Sequence, residues 1–132
     1  MAAAERADAA VRRVGQILIV ARDVARAAAF YRDVVGLRHL FDAPPGMSFF
    51  ECGGTRLMIA PPEGGQELHT SVLYFDVGDI NAAHAVLVAR GAAFEQAPHK
   101  VADLGERELW LAFFRDSEGN MMGLMSEVPK HT

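Results

Sequence analysis

Few residues of this chain have both the type and the spacing that chemistry needs. His99 follows Pro98 and precedes an acidic loop from Asp103 to Glu108, where the chain should pass the rim of a binding face. Its near-neutral titration would suit a general acid or base; a plain surface-loop histidine is the alternative. Cys52 stands beside Gly53-Gly54 with no histidine at a readable spacing, so it reads as a buried or incidental thiol rather than a nucleophile. His69, His99, Glu51, Cys52 and Glu108 are the available metal donors, yet no HxH, HxxxH or facing-carboxylate spacing joins them. No Ser–His–Asp order, phosphate-cradling loop or dinucleotide fingerprint is present, and Gly53-Gly54 and Gly64-Gly65 read as turns.

The totals narrow the classes further. A length of 132 residues makes one domain, able to bury a core without disulfide or metal staples. With 51% apolar and 23% charged residues the profile is that of an ordinary globule. A net charge of −4 leaves no basic footprint for nucleic acid. No apolar run approaches the roughly 20 residues that span a bilayer, so no membrane partner is expected. The lone Cys52 excludes an intrachain disulfide and a thiolate zinc cluster and fits a reducing compartment. The opening MAAAERADAAVRR carries two acids and no apolar core segment, so it does not read as a secretory signal. The expected location is the cytoplasm, with residues 1–13 a poorly tied-down extension ahead of a single domain over 14–132.

The elements that must position these residues come in two similar sets. Val14 to Ala21 reads as a strand; Asp23 is a helix N-cap, and Val24, Ala27, Phe30, Tyr31 and Val34 fall on one helical face. Gly36 stands where a left-handed C-terminal cap is wanted. His39 to Phe41 predicts a short strand and Ala43-Pro-Pro-Gly a loop, before a hairpin in SFFECGGTRLMIA. Pro61 to Gln66 is a linker without periodicity, the natural seam. Beyond it, Val72 to Val77 alternates as a strand, Asp79 caps a helix whose apolar face is Ile80, Ala83, Val86 and Leu87, and Gly91 ends it. Ala92 to Phe94 begins a strand and Ala97-Pro98-His99 starts a loop. The closing hairpin, LWLAFFRDSEGNMMGLM, pairs two bulky strands across the polar turn Asp116–Asn120, where Asp116 and Glu118 read as structural. Asp79 follows Asp23 by 56 residues and Gly91 follows Gly36 by 55.

The prediction is therefore an α+β fold of two tandem βαβββ modules, about 14–60 and 71–127, forming a curved and mostly antiparallel sheet trough. One copy buries one sheet face under its helix and leaves the other bare. Two copies can enclose a concave face for a small ligand, lined by alternate strand residues.

The chain resembles the vicinal oxygen chelate superfamily, which includes glyoxalase I, bleomycin-resistance proteins, fosfomycin-modifying enzymes and extradiol dioxygenases. The likeness covers residues 14–127 and rests on RDVARAAAFYRDVVGL, LYFDVGDINAAHAVLVARG and FFRDSEGNMMGLM. It implies metal ligands at four trough-facing positions, which fall here on Gln16, Met58, Val72 and Gly123. Only Gln16 offers an oxygen or nitrogen, so no metal site and no cofactor is expected. A slip of three residues onto His69 would need a bulge, because Tyr74 to Val77 sets the strand against Asp79. The resemblance also gives Met58, Tyr74, Leu111, Phe113, Met121 and Met125 trough parity, a soft lining suited to flat or irregular apolar ligands. Trp110 should face the helix-covered side.

The reading is a glyoxalase/bleomycin-resistance-like protein that binds a small, largely apolar or aromatic molecule without the usual divalent metal. Its ligand-binding residues would be Gln16, Met58, Tyr74, His99, Leu111, Phe113 and Met121. Two enzymatic readings stand beside it. One is a lyase or isomerase using His99 and Gln16 as polar catalytic groups; the other is a metal-dependent enzyme with non-standard ligands. A domain kept only for partner binding is a further possibility. The resemblance implies a homodimer and leaves open whether the trough forms within one chain or across two.

Overall fold

The computed structural model describes Ala9 and residues 13–62 and 71–130. Most of the expected N-terminal extension, most of the Pro61–Gln66 seam and His69 lie outside these residues. Module one comprises β1 (Gln16–Val20), α1 (Val24–Phe30), β2 (Arg38–Ala43), β3 (Met47–Cys52) and β4 (Thr55–Ala60). Module two comprises β5 (Leu73–Asp76), α2 (Ile80–Ala89), β6 (Ala93–Asp103), β7 (Arg107–Arg115) and β8 (Met121–Pro129). The sheets have the same plan, β1-β4-β3-β2 and β5-β8-β7-β6, each with one parallel pair at the first strand and antiparallel pairs elsewhere. The predicted α+β architecture of two tandem βαβββ modules is the one observed.

Local chemistry accounts for most boundaries. Asp23 accepts from the amide of Arg26 at 3.0 Å and Asp79 from that of Ala82 at 3.1 Å, each satisfying an amide that the first helical turn leaves free. Helix α1 winds on through a wider π-helical stretch, Tyr31–Val35, and stops at Gly36 with φ +88°, a left-handed conformation that glycine adopts without strain. On α2 the buried positions are Ile80 and Leu87, whereas Val86, expected on the apolar face, is 44% exposed.

One expectation fails clearly. Ala97-Pro98-His99 is not a loop but the middle of β6, which runs eleven residues. Proline is tolerated there because β6 is the sheet's edge strand, where an amide on the open side needs no partner. The pairing with β7 slips at three places, between Phe94 and Gln96, Gln96 and His99, and Lys100 and Ala102. Such bulges absorb residues that cannot follow a regular ladder. The expected acidic loop shrinks to a turn, with Asp103 and Glu108 in the strands either side of it. Likewise β2 extends beyond the expected His39–Phe41 at both ends.

A single apolar core joins the modules. Ile19, Phe50, Leu57 and Ile59 from the first sheet, and Ala112, Phe114, Met122 and Leu124 from the second, form one cluster with Ala27, Tyr31, Ile80 and Leu87 from the helices. Phe30 on α1 packs against Phe114 on β7, with ring centroids 6.4 Å apart. Trp110 packs against this core from its margin, on the expected side. Because both helix-covered faces turn toward the shared core, the two opposite sheet faces turn away from it.

Polar contacts lock this packing. The fully buried Tyr31 donates from Oη to Asp116 Oδ2 at 2.7 Å, linking α1 to the turn between β7 and β8. Asp116 also accepts from the amides of Glu118 and Asn120, each at 2.8 Å, and from Asn120 Nδ2 at 3.0 Å. Glu118 in turn accepts from the Arg22 amide and from Arg26 Nη2, each at 2.7 Å. Burial alone would raise the Glu118 carboxyl, but bonds from the Arg22 amide, the Arg26 guanidinium and the Asp23 amide hold it below its ordinary value. Burial, and then the Asp116 charge, push the Tyr31 phenol far above its ordinary range, so it stays a donor.

Two stability measurements check this tie. Tyr31→Phe removes one donor to a buried carboxylate, and we expect a loss of about 1–3 kcal/mol in urea unfolding; an unchanged midpoint would refute the role. Glu118 has a folded-state pKa below its ordinary value of 4.5. Its stabilisation is therefore complete above that pH and disappears as pH falls through the folded-state pKa. The stability gap between wild type and Glu118→Gln should thus be constant near neutrality and shrink toward pH 3. A gap that does not change with pH would show that the ionised form contributes nothing.

Candidate functional site

The outward faces of the two sheets are set by strand parity. On β1 and β4, Ile17, Ile19, Leu57 and Ile59 point to the core side, which leaves Gln16, Leu18, Arg56 and Met58 on the outer face. Register places Gln16 opposite Arg56 and Leu18 opposite Met58. Phe49 lies opposite Met58 on β3, and Phe41 opposite Phe49 on β2. Leu18 and Phe41 are 40% and 44% exposed, large apolar groups that a solitary domain would normally cover.

Within that face the polar groups are organised around Arg56. Its Nε donates to Gln16 Oε1 at 2.8 Å, and its guanidinium carbon lies 5.1 Å from the Phe49 ring centroid and 5.7 Å from that of Phe41. Those two rings stack at 4.6 Å. Gln16 Nε2 approaches Met58 Sδ at 3.7 Å. Sequence reasoning chose Gln16 and Met58, which the structure brings together, and missed Arg56. The only signal available was that Arg56 shares parity with Met58, two residues on.

On the second sheet, Leu111, Phe113, Met121 and Met125 alternate with buried Ala112, Phe114, Met122 and Leu124, as expected. Tyr74, 48% exposed, pairs across from Gly123, which also faces Phe113. The Tyr74 and Phe113 rings meet edge to face at 5.9 Å. A Cβ on Gly123 would lie 2.8 Å from Tyr74 Cδ2, so the phenol ring occupies the space a side chain there would need. A hollow of about 260 Å³ opens beside Phe113 and Met121, with Glu95 and Gln96 on its rim. A larger one, about 510 Å³, lies past the end of β5 and touches Asp76, Met125 and Arg107.

His99 stands opposite Leu111, on the same outer side as Phe113. Its Nδ1 donates to the Ala97 carbonyl at 2.8 Å, which leaves Nε2 as the acceptor of the neutral ring. Gln16 and His99 belong to different sheets and to faces that both turn away from the common core. Cys52 is half-buried at the junction of the modules, beside a hollow of about 290 Å³ shared by Ile17, Leu57, Val72 and Tyr74; burial there raises its thiol pKa. Among the described residues no group of three or more His, Cys, Asp or Glu could hold a metal ion. No helix among them is long and apolar enough to cross a membrane.

Comparison with known proteins agrees with this architecture. No curated protein matches the chain by sequence. Among solved structures, a glyoxalase/bleomycin resistance protein/dioxygenase superfamily member from Sphaerobacter thermophilus is 22% identical, with a TM-score of 0.72 over 88% of this chain and 98% of that one. A lactoylglutathione lyase from Agrobacterium tumefaciens is 21% identical, with a TM-score of 0.68 over 86% and 92%. TioX from Micromonospora sp. ML1 is 18% identical, with a TM-score of 0.70 over 87% and 98%. At such identities the likeness is one of fold. The model of the Glyoxalase/Bleomycin resistance protein/Dioxygenase superfamily matches residues 13–124, and the chain belongs to that superfamily.

Proposed function

We propose that this protein binds a small, largely apolar or aromatic molecule on its outer sheet faces and does so without the divalent metal used by other members of its superfamily. The observation that carries this reading is the fate of the four positions where the resemblance puts metal ligands. Gln16 Oε1 accepts from a guanidinium at 2.8 Å, so a positive charge already occupies the flank a cation would need. Met58 offers a thioether and Val72 no donor at all. Gly123 lies under the Tyr74 ring. Hard divalent ions take oxygen donors and borderline ones imidazole, carboxylate or thiolate, none of which a thioether or an alkyl group replaces, and a neighbouring cation repels them all, so this donor set does not fit one.

What has replaced the donors is soft surface. Leu18, Phe41, Phe49 and Met58 on one face, and Tyr74, Leu111, Phe113 and Met121 on the other, suit a flat apolar ligand. The large side chains left open on both faces also favour a homodimer, in which a second copy would close each face, and the lone Cys52 fits the cytoplasm. His99 would line the second face as a polar contact through Nε2.

Two experiments test the reading. Protein purified without chelator should contain far less than one equivalent of zinc, nickel, iron or manganese by elemental analysis, and a panel of aromatic antibiotics and thiol conjugates should include one that raises the melting temperature. A ligand at a hundred times its Kd adds about 2.7 kcal/mol, a rise of roughly 10 °C for a domain of this size. Near-stoichiometric metal, or no shift from any compound, would overturn the proposal. The packing at Gly123 can be checked separately. Gly123→Ala should cost about 1 kcal/mol through forced displacement of a ring that is free to swing, and Tyr74→Ala in the same chain should remove that cost. A penalty that persists without the ring would place the constraint elsewhere.

A further inference from the structure

We infer that Arg56 is a carboxylate anchor, and that the ligand of the module-one face is an aromatic or apolar molecule bearing a single carboxylate. This deepens the binding reading above and rests on it. The guanidinium is held from three sides, by Gln16 Oε1 at Nε and by the rings of Phe41 and Phe49 beneath it. Orientation is thus settled before any ligand arrives, which lowers the ordering cost of a charged hydrogen-bond pair.

Its terminal nitrogens make no ion pair with any described residue. The carboxylate paired across from it in register, Glu51, is engaged instead by the Gly54 amide at 2.7 Å. With Nε used by Gln16, the two Nη groups remain as a parallel pair of donors, the geometry that matches the two oxygens of a carboxylate. Leu18 and Met58 lie alongside and supply the apolar seat for the rest of the molecule. A phosphate is a poorer match, because its charge of nearly −2 calls for a second cation or a cluster of backbone amides. Arg38, a cation in register on the same face, stands two strands away across Glu51.

The test uses 2-naphthoate and its neutral isostere 2-naphthamide, titrated into the full chain and followed by calorimetry, with Arg56→Met and Arg56→Lys beside the wild type. Wild type should bind the acid at least tenfold more tightly than the amide. Arg56→Met should lose that preference while still binding the amide, and Arg56→Lys should retain part of it, since it keeps the charge but not the fork. Urea unfolding of each variant confirms that it is folded. If wild type binds acid and amide equally, or if Arg56→Met leaves the acid's affinity unchanged, the carboxylate assignment is overturned while the binding reading survives. If neither compound binds wild type, the carboxylate assignment falls, and the compound panel above decides the binding reading separately.

Discussion

The contact on which the architecture depends is one buried hydrogen bond, from the Tyr31 phenol to the Asp116 carboxylate. An ionised carboxylate at 6% exposure would be strongly unfavourable alone. Here it is satisfied by the phenol, by two amides of its own turn and by an asparagine side chain. The turn between β7 and β8 is thereby shaped by the residue that also holds it to the other module. Glu118, in the same turn, accepts from the free amides ahead of α1, as an anion at a helix N-terminus should. Sheet order, helix position and module packing meet in five residues of chain.

That junction determines which surfaces are available for binding. By holding α1 between the two sheets, it commits the helix-covered faces to a single core and sends the other two faces outward. The outer faces keep the alternate-residue lining expected of a ligand trough. The exposure of Leu18, Phe41 and Tyr74 follows from this arrangement, not from any surplus of apolar residues in the chain.

On the outer faces, the positions where the resemblance puts metal ligands are occupied by other groups. Where a carboxylate would project from β8, a glycine makes room for the Tyr74 ring. Where an ion would rest against Gln16, an arginine stacked on two phenylalanines takes up the amide oxygen. Metal ion and guanidinium are both positive, but the guanidinium presents fixed N–H donors instead of open coordination positions.

What the sequence determined by itself was everything specified by local stereochemistry. The caps at Asp23 and Asp79, the left-handed stops at Gly36 and Gly91 and the closing hairpin depend on residues close together in the chain, and the doubling of the unit shows as their recurrence 55 to 56 residues on. Strand parity came from the family resemblance, which put Met58, Tyr74, Leu111, Phe113 and Met121 on one side of their strands, and all five lie on the outer faces. The tertiary structure alone decided which faces meet and what stands opposite what. Arg56 touches Gln16 across 40 residues of chain, and Tyr31 reaches Asp116 across 85. Pro98 is a strand residue only because β6 ends up at an edge. Each of these is a long-range pairing, whose partner is chosen by packing energy summed over the whole core and leaves no mark in the neighbouring sequence.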